Sequence, residues 1–183
     1  RDWPAIRFVF PHAPVRAVTI NGGARMRAWY DIRDVDLANR ADHEGVAESV
    51  AQVDALIARE AERGVPPERM LLAGFSQGGA ITLAAGIARA QPLGGLIALS
   101  TYLPMATAQA QAMLQPGANA QPVFMGHGVF DPVVPAAGGE AAARALRDFG
   151  FEVQWRRYPM QHSVCAEEIR DLGYWMTARF AAG

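Results

Sequence analysis

The sequence predicts an α/β fold, a mostly parallel central sheet with helices on both faces. Short apolar runs alternate with helical patterns along the chain, as strands joined by crossover helices do. Four of those runs read as continuous apolar stretches, interrupted only by Arg7 and closed by Ser100, the pattern of strands covered on both sides. The 183 residues, 51% of them hydrophobic, suit one domain spanning 1–183.

Strands are expected at Ile6–Phe10, Met70–Gly74, Leu96–Ser100, Val123–Gly126 and Glu152–Tyr158. In the last, Phe151, Val153 and Trp155 alternate with Glu152, Gln154 and Arg156, which places it nearer an edge. Val46, Val50, Val53 and Ile57 recur at helical spacing, and Gly64 with Pro66-Pro67 ends that helix. Helices also follow at Gln77–Ala90, Ala136–Phe149 and Ala166–Phe180. Asn21-Gly22-Gly23, between Val18-Thr19-Ile20 and Met26–Tyr30, reads as a tight β-turn in a Pro-rich surface segment of the kind that builds a pocket wall.

Composition removes several chemistries. All 17 basic side chains are Arg, so a Schiff-base lysine, a Ser–Lys dyad and a P-loop lysine are impossible. The formal charge of −1 gives no electrostatic reason to expect nucleic acid or an anionic membrane as partner. No apolar stretch reaches the roughly 18 residues of a membrane span. One cysteine, Cys165, forms no internal disulfide, and a free thiol fits a reducing, cytoplasmic compartment.

The strongest motif is G-x-S-x-G at Gly74-Phe75-Ser76-Gln77-Gly78. The apolar strand Met70-Leu71-Leu72-Ala73 precedes it and a helix follows, the context in which a serine on a sharp strand-to-helix turn projects above the sheet. The helix start favours negative charge developing beside that serine. A serine needs a base, itself oriented by an acid, and on such a sheet they follow in the order Ser, Asp or Glu, His.

Two histidines follow Ser76. His162 comes after the last strand, where the base belongs; His127, in Gly126-His127-Gly128, reads as a strand-end residue bonded to nearby backbone. Asp131 lies in a loop after a strand, beside Pro132, and fits the acid. Asp148 falls in a helix pattern, and Asp31, Asp34 and Asp36 precede the serine as turn or capping residues. Cys165 lacks a G-x-C-x-G context, and His12 and His43 lack metal-ligand partners at convincing spacing. Trp29, Leu103, Met105 and Met160 occupy segments that approach the site and suit an apolar acyl chain, although core packing explains such residues equally well.

Phe8-Val9-Phe10-Pro11-His12-Ala13-Pro14, Thr19-Ile20-Asn21-Gly22-Gly23, Ala28-Trp29-Tyr30-Asp31-Ile32 and Leu72–Ala80 together resemble the carboxylesterase/phospholipase family of α/β-hydrolases. Gly94–Ser100, Asp131-Pro132-Val133-Val134 and Tyr158-Pro159-Met160-Gln161-His162 extend the likeness over nearly the whole chain. That family includes bacterial carboxylesterases and acyl-protein thioesterases. The resemblance implies the α/β-hydrolase fold, Ser76, Asp131 and His162 as catalytic triad, no cofactor, and a possible homodimer. It implies hydrolysis of carboxylic esters or thioesters with an apolar acyl group. A small-ester carboxylesterase is the first expectation, and a lysophospholipase or acyl-protein thioesterase the alternative. A catalytically impaired ligand- or partner-binding homologue is the reading of another class.

The family pattern begins with a strand ending in a His-Gly-x-Gly loop that supplies one oxyanion donor. This sequence starts after that point, and its His127-Gly128 lies elsewhere in the pattern. The sequence is therefore expected to be an incomplete copy, lacking its N-terminal strand or strands. The other donor, the backbone N–H of Gln77, is present. Loss of one such donor costs roughly 10²–10³ in turnover in other enzymes.

Overall fold

The computed structural model describes residues 4–34 and 42–181. A hairpin comes first: β1 (Val15–Val18) pairs antiparallel with β2 (Ala24–Arg27), Val15 opposite Arg27 and Val18 opposite Ala24. Its turn passes through Gly22 and Gly23 at φ of 65° and 76°, values that a side chain disfavours. The second arm ends at Arg27 and does not run from Met26 to Tyr30 as expected. Beyond it the chain turns inward and buries Ala28 and Tyr30.

Helix α1 (His43–Glu62) carries the expected stripe Val46, Val50, Val53 and Ile57, all buried. It closes at Gly64, φ 88°, whose N–H donates to the Ala61 carbonyl at 2.9 Å. Strands and helices then alternate: β3 (Leu71–Phe75), α2 (Gln77–Ile87), β4 (Gly95–Leu99), α3 (Thr107–Met113), β5 (Val123–Gly128), α4 (Ala136–Asp148), β6 (Val153–Tyr158) and α5 (Ala166–Ala181). The four strands are parallel in the order β3-β4-β5-β6.

The pleat divides the core. Leu96 and Ala98 of β4, with Val123 and Met125 of β5, join the cluster that also holds apolar residues of α1, α2 and α4. Ile97 and Leu99, with Phe124, turn to the opposite face and meet Trp175 of α5. The Phe124 and Trp175 rings lie 5.9 Å apart, tilted by 56°, a favourable edge-on arrangement.

Glu168 of α5 lies within this second face. It is 0% exposed, and among the described residues neither carboxyl oxygen has a hydrogen-bond partner. It fits because Gly126 lacks a side chain: a Cβ there would fall 2.1 Å from Glu168 Oε1. Burial pushes the carboxyl up to about 7.

Two expectations need correction. Residues 6–10 form no strand, and Phe10 is 85% exposed. An apolar run becomes a strand only where a neighbour completes its hydrogen bonds, and none does so among the described residues. The runs at β4 and β5 are buried throughout, but β3 is only half-buried, because it lies at one end of this sheet. The edge position expected for β6 is observed. Helix α3 has no counterpart in the expected elements, being seven residues with one buried position and hence no apolar stripe. Asp36 lies outside the described residues. No described helix is long and apolar enough to cross a membrane.

Candidate active site

The turn from β3 into α2 sets Ser76 at φ 54°, ψ −119°, a sparsely populated backbone state for a residue with a side chain. Such strain persists only when its surroundings over-determine it. Here the Ser76 N–H donates to the Leu99 carbonyl (2.8 Å), and the Ser76 carbonyl accepts from the Ala80 N–H (3.1 Å) and from Thr101 Oγ1 (2.7 Å). The two arms of the turn approach so closely that a Cβ on Gly74 would lie 2.2 Å from the backbone of Gly78. Glycine at position 74 is a steric requirement of the elbow, whereas a Cβ on Gly78 would meet only Trp29 Nε1 at 3.8 Å.

Asp131 and His162 arrive from the ends of β5 and β6. The loops after those strands are joined by backbone bonds, Val129 N–H to Tyr158 carbonyl (2.9 Å) and Phe130 N–H to Met160 carbonyl (3.1 Å). His162 Nδ1 lies 2.7 Å from Asp131 Oδ2, and His162 Nε2 lies 3.0 Å from Ser76 Oγ. An ionised carboxylate only accepts, so Nδ1 carries the imidazole proton. In the neutral ring Nε2 then offers its lone pair to the serine hydroxyl.

Asp131 Oδ1 accepts from the Val133 and Val134 amides at 2.9 and 2.8 Å. Burial pushes this carboxyl up, but the His162 bond and the Val134 and Val133 amides outweigh it and hold the group below 3.8. The acid therefore stays charged at neutral pH, as orienting an imidazole requires. The three residues named from sequence form one hydrogen-bonded chain.

Gln77 is the first residue of α2, so its N–H is among those that a helix start leaves without an intrahelical acceptor. Its side chain has a second task, which the sequence did not reveal. Oε1 accepts from the Trp29 N–H and Nε2 donates to the Tyr30 carbonyl, both at 2.8 Å. Ser49 Oγ also donates to the Trp29 carbonyl, and the buried Tyr30 and Tyr102 hydroxyls meet at 2.8 Å. The segment after the hairpin is thereby clamped to the elbow.

Of the apolar residues singled out, Trp29 reaches the elbow, its indole nitrogen 3.8 Å from the position of a Cβ on Gly78. Leu103 and Met105 are partly buried against the α2-side core, and Met160 is buried. Sequence reasoning missed Phe75 and Phe130. The Phe75 ring centroid lies 4.8 Å from that of His162, while Phe130 beside Asp131 is 65% exposed. Both stand next to motif residues, and their aromatic character is the signal that was there to use. Asp31 is a tether: the Thr19 N–H and hydroxyl donate to its two oxygens at 2.7 and 2.6 Å. Asp148 ends α4, and Cys165 sits just before α5.

Comparison with known proteins identifies the family. The family described as Phospholipase/Carboxylesterase matches residues 1–178. Acyl-protein thioesterase 1 of Gibberella zeae is 40% identical over 174 residues, covering 91% of this chain and 74% of that protein. The Neurospora crassa protein of the same name is 38% identical over 181 residues, covering 95% and 74%. Among solved structures, Arabidopsis thaliana SOBER1 superimposes with a TM-score of 0.87 at 32% identity, covering 93% of this chain and 82% of that one. Zea mays acyl-protein thioesterase 2 gives 0.81 at 27%, covering 93% and 80%. The chain belongs to the phospholipase/carboxylesterase family of α/β-hydrolases and is a serine hydrolase of esters or thioesters.

Proposed function

We propose that this chain is a thioesterase of the acyl-protein thioesterase type, with Ser76 as nucleophile, His162 as general base and acid, and Asp131 as the orienting carboxylate. The observation that carries the catalytic assignment is the continuous chain Ser76 Oγ–His162–Asp131 at 3.0 and 2.7 Å. The thioester preference rests on the names of the relatives above; a small-ester carboxylesterase is the competing reading within the same chemistry.

In the first step His162 Nε2 takes the proton of Ser76 Oγ as that oxygen attacks the acyl carbonyl. The oxyanion develops beside the N–H of Gln77, at the positive end of α2. His162 then passes the proton to the departing thiolate or alkoxide, leaving an acyl-Ser76. Water, deprotonated by His162, attacks that ester, and the proton returns to Ser76 as the acid leaves. Asp131 stays ionised throughout and stabilises the imidazolium. Phe75, packed on the His162 ring, gives an acyl chain apolar surface beside the reacting atoms.

The test pairs a thioester with the oxoester of the same acyl chain. The expected result is hydrolysis of both, with the higher kcat/KM on the thioester and both rates lost in Ser76→Ala. A fluorophosphonate probe is expected to label Ser76. Activity retained by Ser76→Ala, or a folded chain inert to the probe, overturns the assignment; a clear oxoester preference selects the carboxylesterase reading.

A further inference from the structure

His127 is a second histidine at the proposed catalytic acid, and the hydrolytic steps above do not use it. It is the penultimate residue of β5 and is 0% exposed. Its Nε2 lies 2.9 Å from the Val134 carbonyl and 3.5 Å from Asp131 Oδ2, the oxygen that His162 Nδ1 also approaches. Both neighbours of Nε2 are acceptors, so Nε2 carries the proton. Nδ1 is buried without a hydrogen-bond partner among the described residues. It faces helix α4, where a Cβ on Gly139 would lie 2.4 Å away, and the Trp155 ring lies 5.8 Å from the imidazole.

Burial pushes this imidazole below its ordinary 6.5, against the Val134 bond and the Asp131 charge. The ring is therefore a neutral donor with its tautomer fixed by its surroundings. A histidine kept only to fill space has no need of this arrangement, in which one nitrogen faces a dry wall and the other faces the acid loop.

The bonds close a ring. His127 Nε2–H donates to the Val134 carbonyl, and the Val134 N–H donates to Asp131 Oδ1. Nε2–H also faces Asp131 Oδ2 at the longer distance. We infer that His127 is a positioning residue for Asp131, holding the acid loop so that Oδ2 points at His162 Nδ1. This rests on the assignment of Asp131 as the orienting acid.

The test replaces His127 by Gln, Asn and Leu. Counted from the backbone, a Gln amide nitrogen reaches the place of Nε2, whereas an Asn amide reaches only that of Nδ1. His127→Gln is expected to keep most of kcat. His127→Asn and His127→Leu are expected to lose on the order of 10²-fold in kcat, the scale of a misplaced catalytic group, with KM little changed. Equal kcat in the Asn and Gln variants, or parental kcat in a folded Leu variant, overturns the proposal. The Asn–Gln comparison stands even if the Leu variant fails to fold.

A second readout needs no turnover. In the unreacted protein the His162 Nδ1 proton, bonded to Asp131, should give a far-downfield proton NMR resonance. It is expected to persist in His127→Gln and to disappear by exchange in His127→Asn; its persistence in both overturns the proposal. A parental chain inert to substrate but showing this pattern refutes the hydrolytic assignment while leaving the positioning role supported.

Discussion

Replacing Glu168 by Gln is expected to stabilise the protein at alkaline pH and to do little in acid. The carboxyl is fully buried beside Gly126 with both oxygens unpartnered, and its pKa rises from 4.5 to about 7 on folding. The unfolded chain therefore loses this proton first. Between those two values the folded state holds more protons than the unfolded one, so stability falls as pH rises and levels off above the folded value. At about 1.4 kcal/mol for each pH interval, the full loss is about 3 kcal/mol. Nearby Tyr158 stays neutral across this range, because burial and its bond to Asp171 push its hydroxyl upward.

A Gln side chain occupies nearly the same volume and carries no charge to desolvate. Any cost from its own unpartnered amide applies equally at every pH. Urea unfolding of both proteins from about pH 4.5 to about pH 8 should show the difference in unfolding free energy moving by about 3 kcal/mol in favour of the Glu168→Gln variant as pH rises. A difference that stays constant with pH would refute the reasoning, since it would mean that the ionised carboxylate finds a partner in the folded protein.

The remaining predictions concern the site. Asp131→Asn should fold but lose about 10⁴-fold in kcat, as the equivalent change does in another triad enzyme; a loss under about tenfold in steady-state assays would speak against the acid assignment. Gln77→Leu keeps the backbone N–H but cuts the clamp to Trp29 and Tyr30, so chemical denaturation should show a loss of about 2 kcal/mol. Gln77→Glu should be destabilised as well at neutral pH, because a carboxylate accepts from Trp29 but has nothing to donate to the Tyr30 carbonyl.

What was legible in the sequence depended on how local its cause was. Strands β4 and β5 stood out because burial on both faces leaves an unbroken apolar run. The elbow stood out because its serine turn lies within one short motif, in which the close approach at Gly74 demands a glycine. Asp131 and His162 were legible through chain order. Residues 6–10 misled because apolarity predicts burial or pairing, and neither is reached. The Gln77 clamp and the role of His127 were hidden for a different reason. The clamp joins residues 48 and 47 positions apart, and the orientation of His127 is set by Gly139 and Trp155. No pattern along the chain encodes which nitrogen of a ring faces which acceptor.

The stitching of the loops after β5 and β6 gives the triad an uneven anatomy. Acid and base ride on adjacent strands whose hydrogen-bonded ladder continues into the loops that carry them. The nucleophile stands just after β3, with β4 between that strand and the pair. Two mechanical modules thus meet where His162 touches the elbow, 3.0 Å from Ser76 Oγ and with its ring against that of Phe75. A disturbance of one module alters the gap at that seam before it alters either module internally.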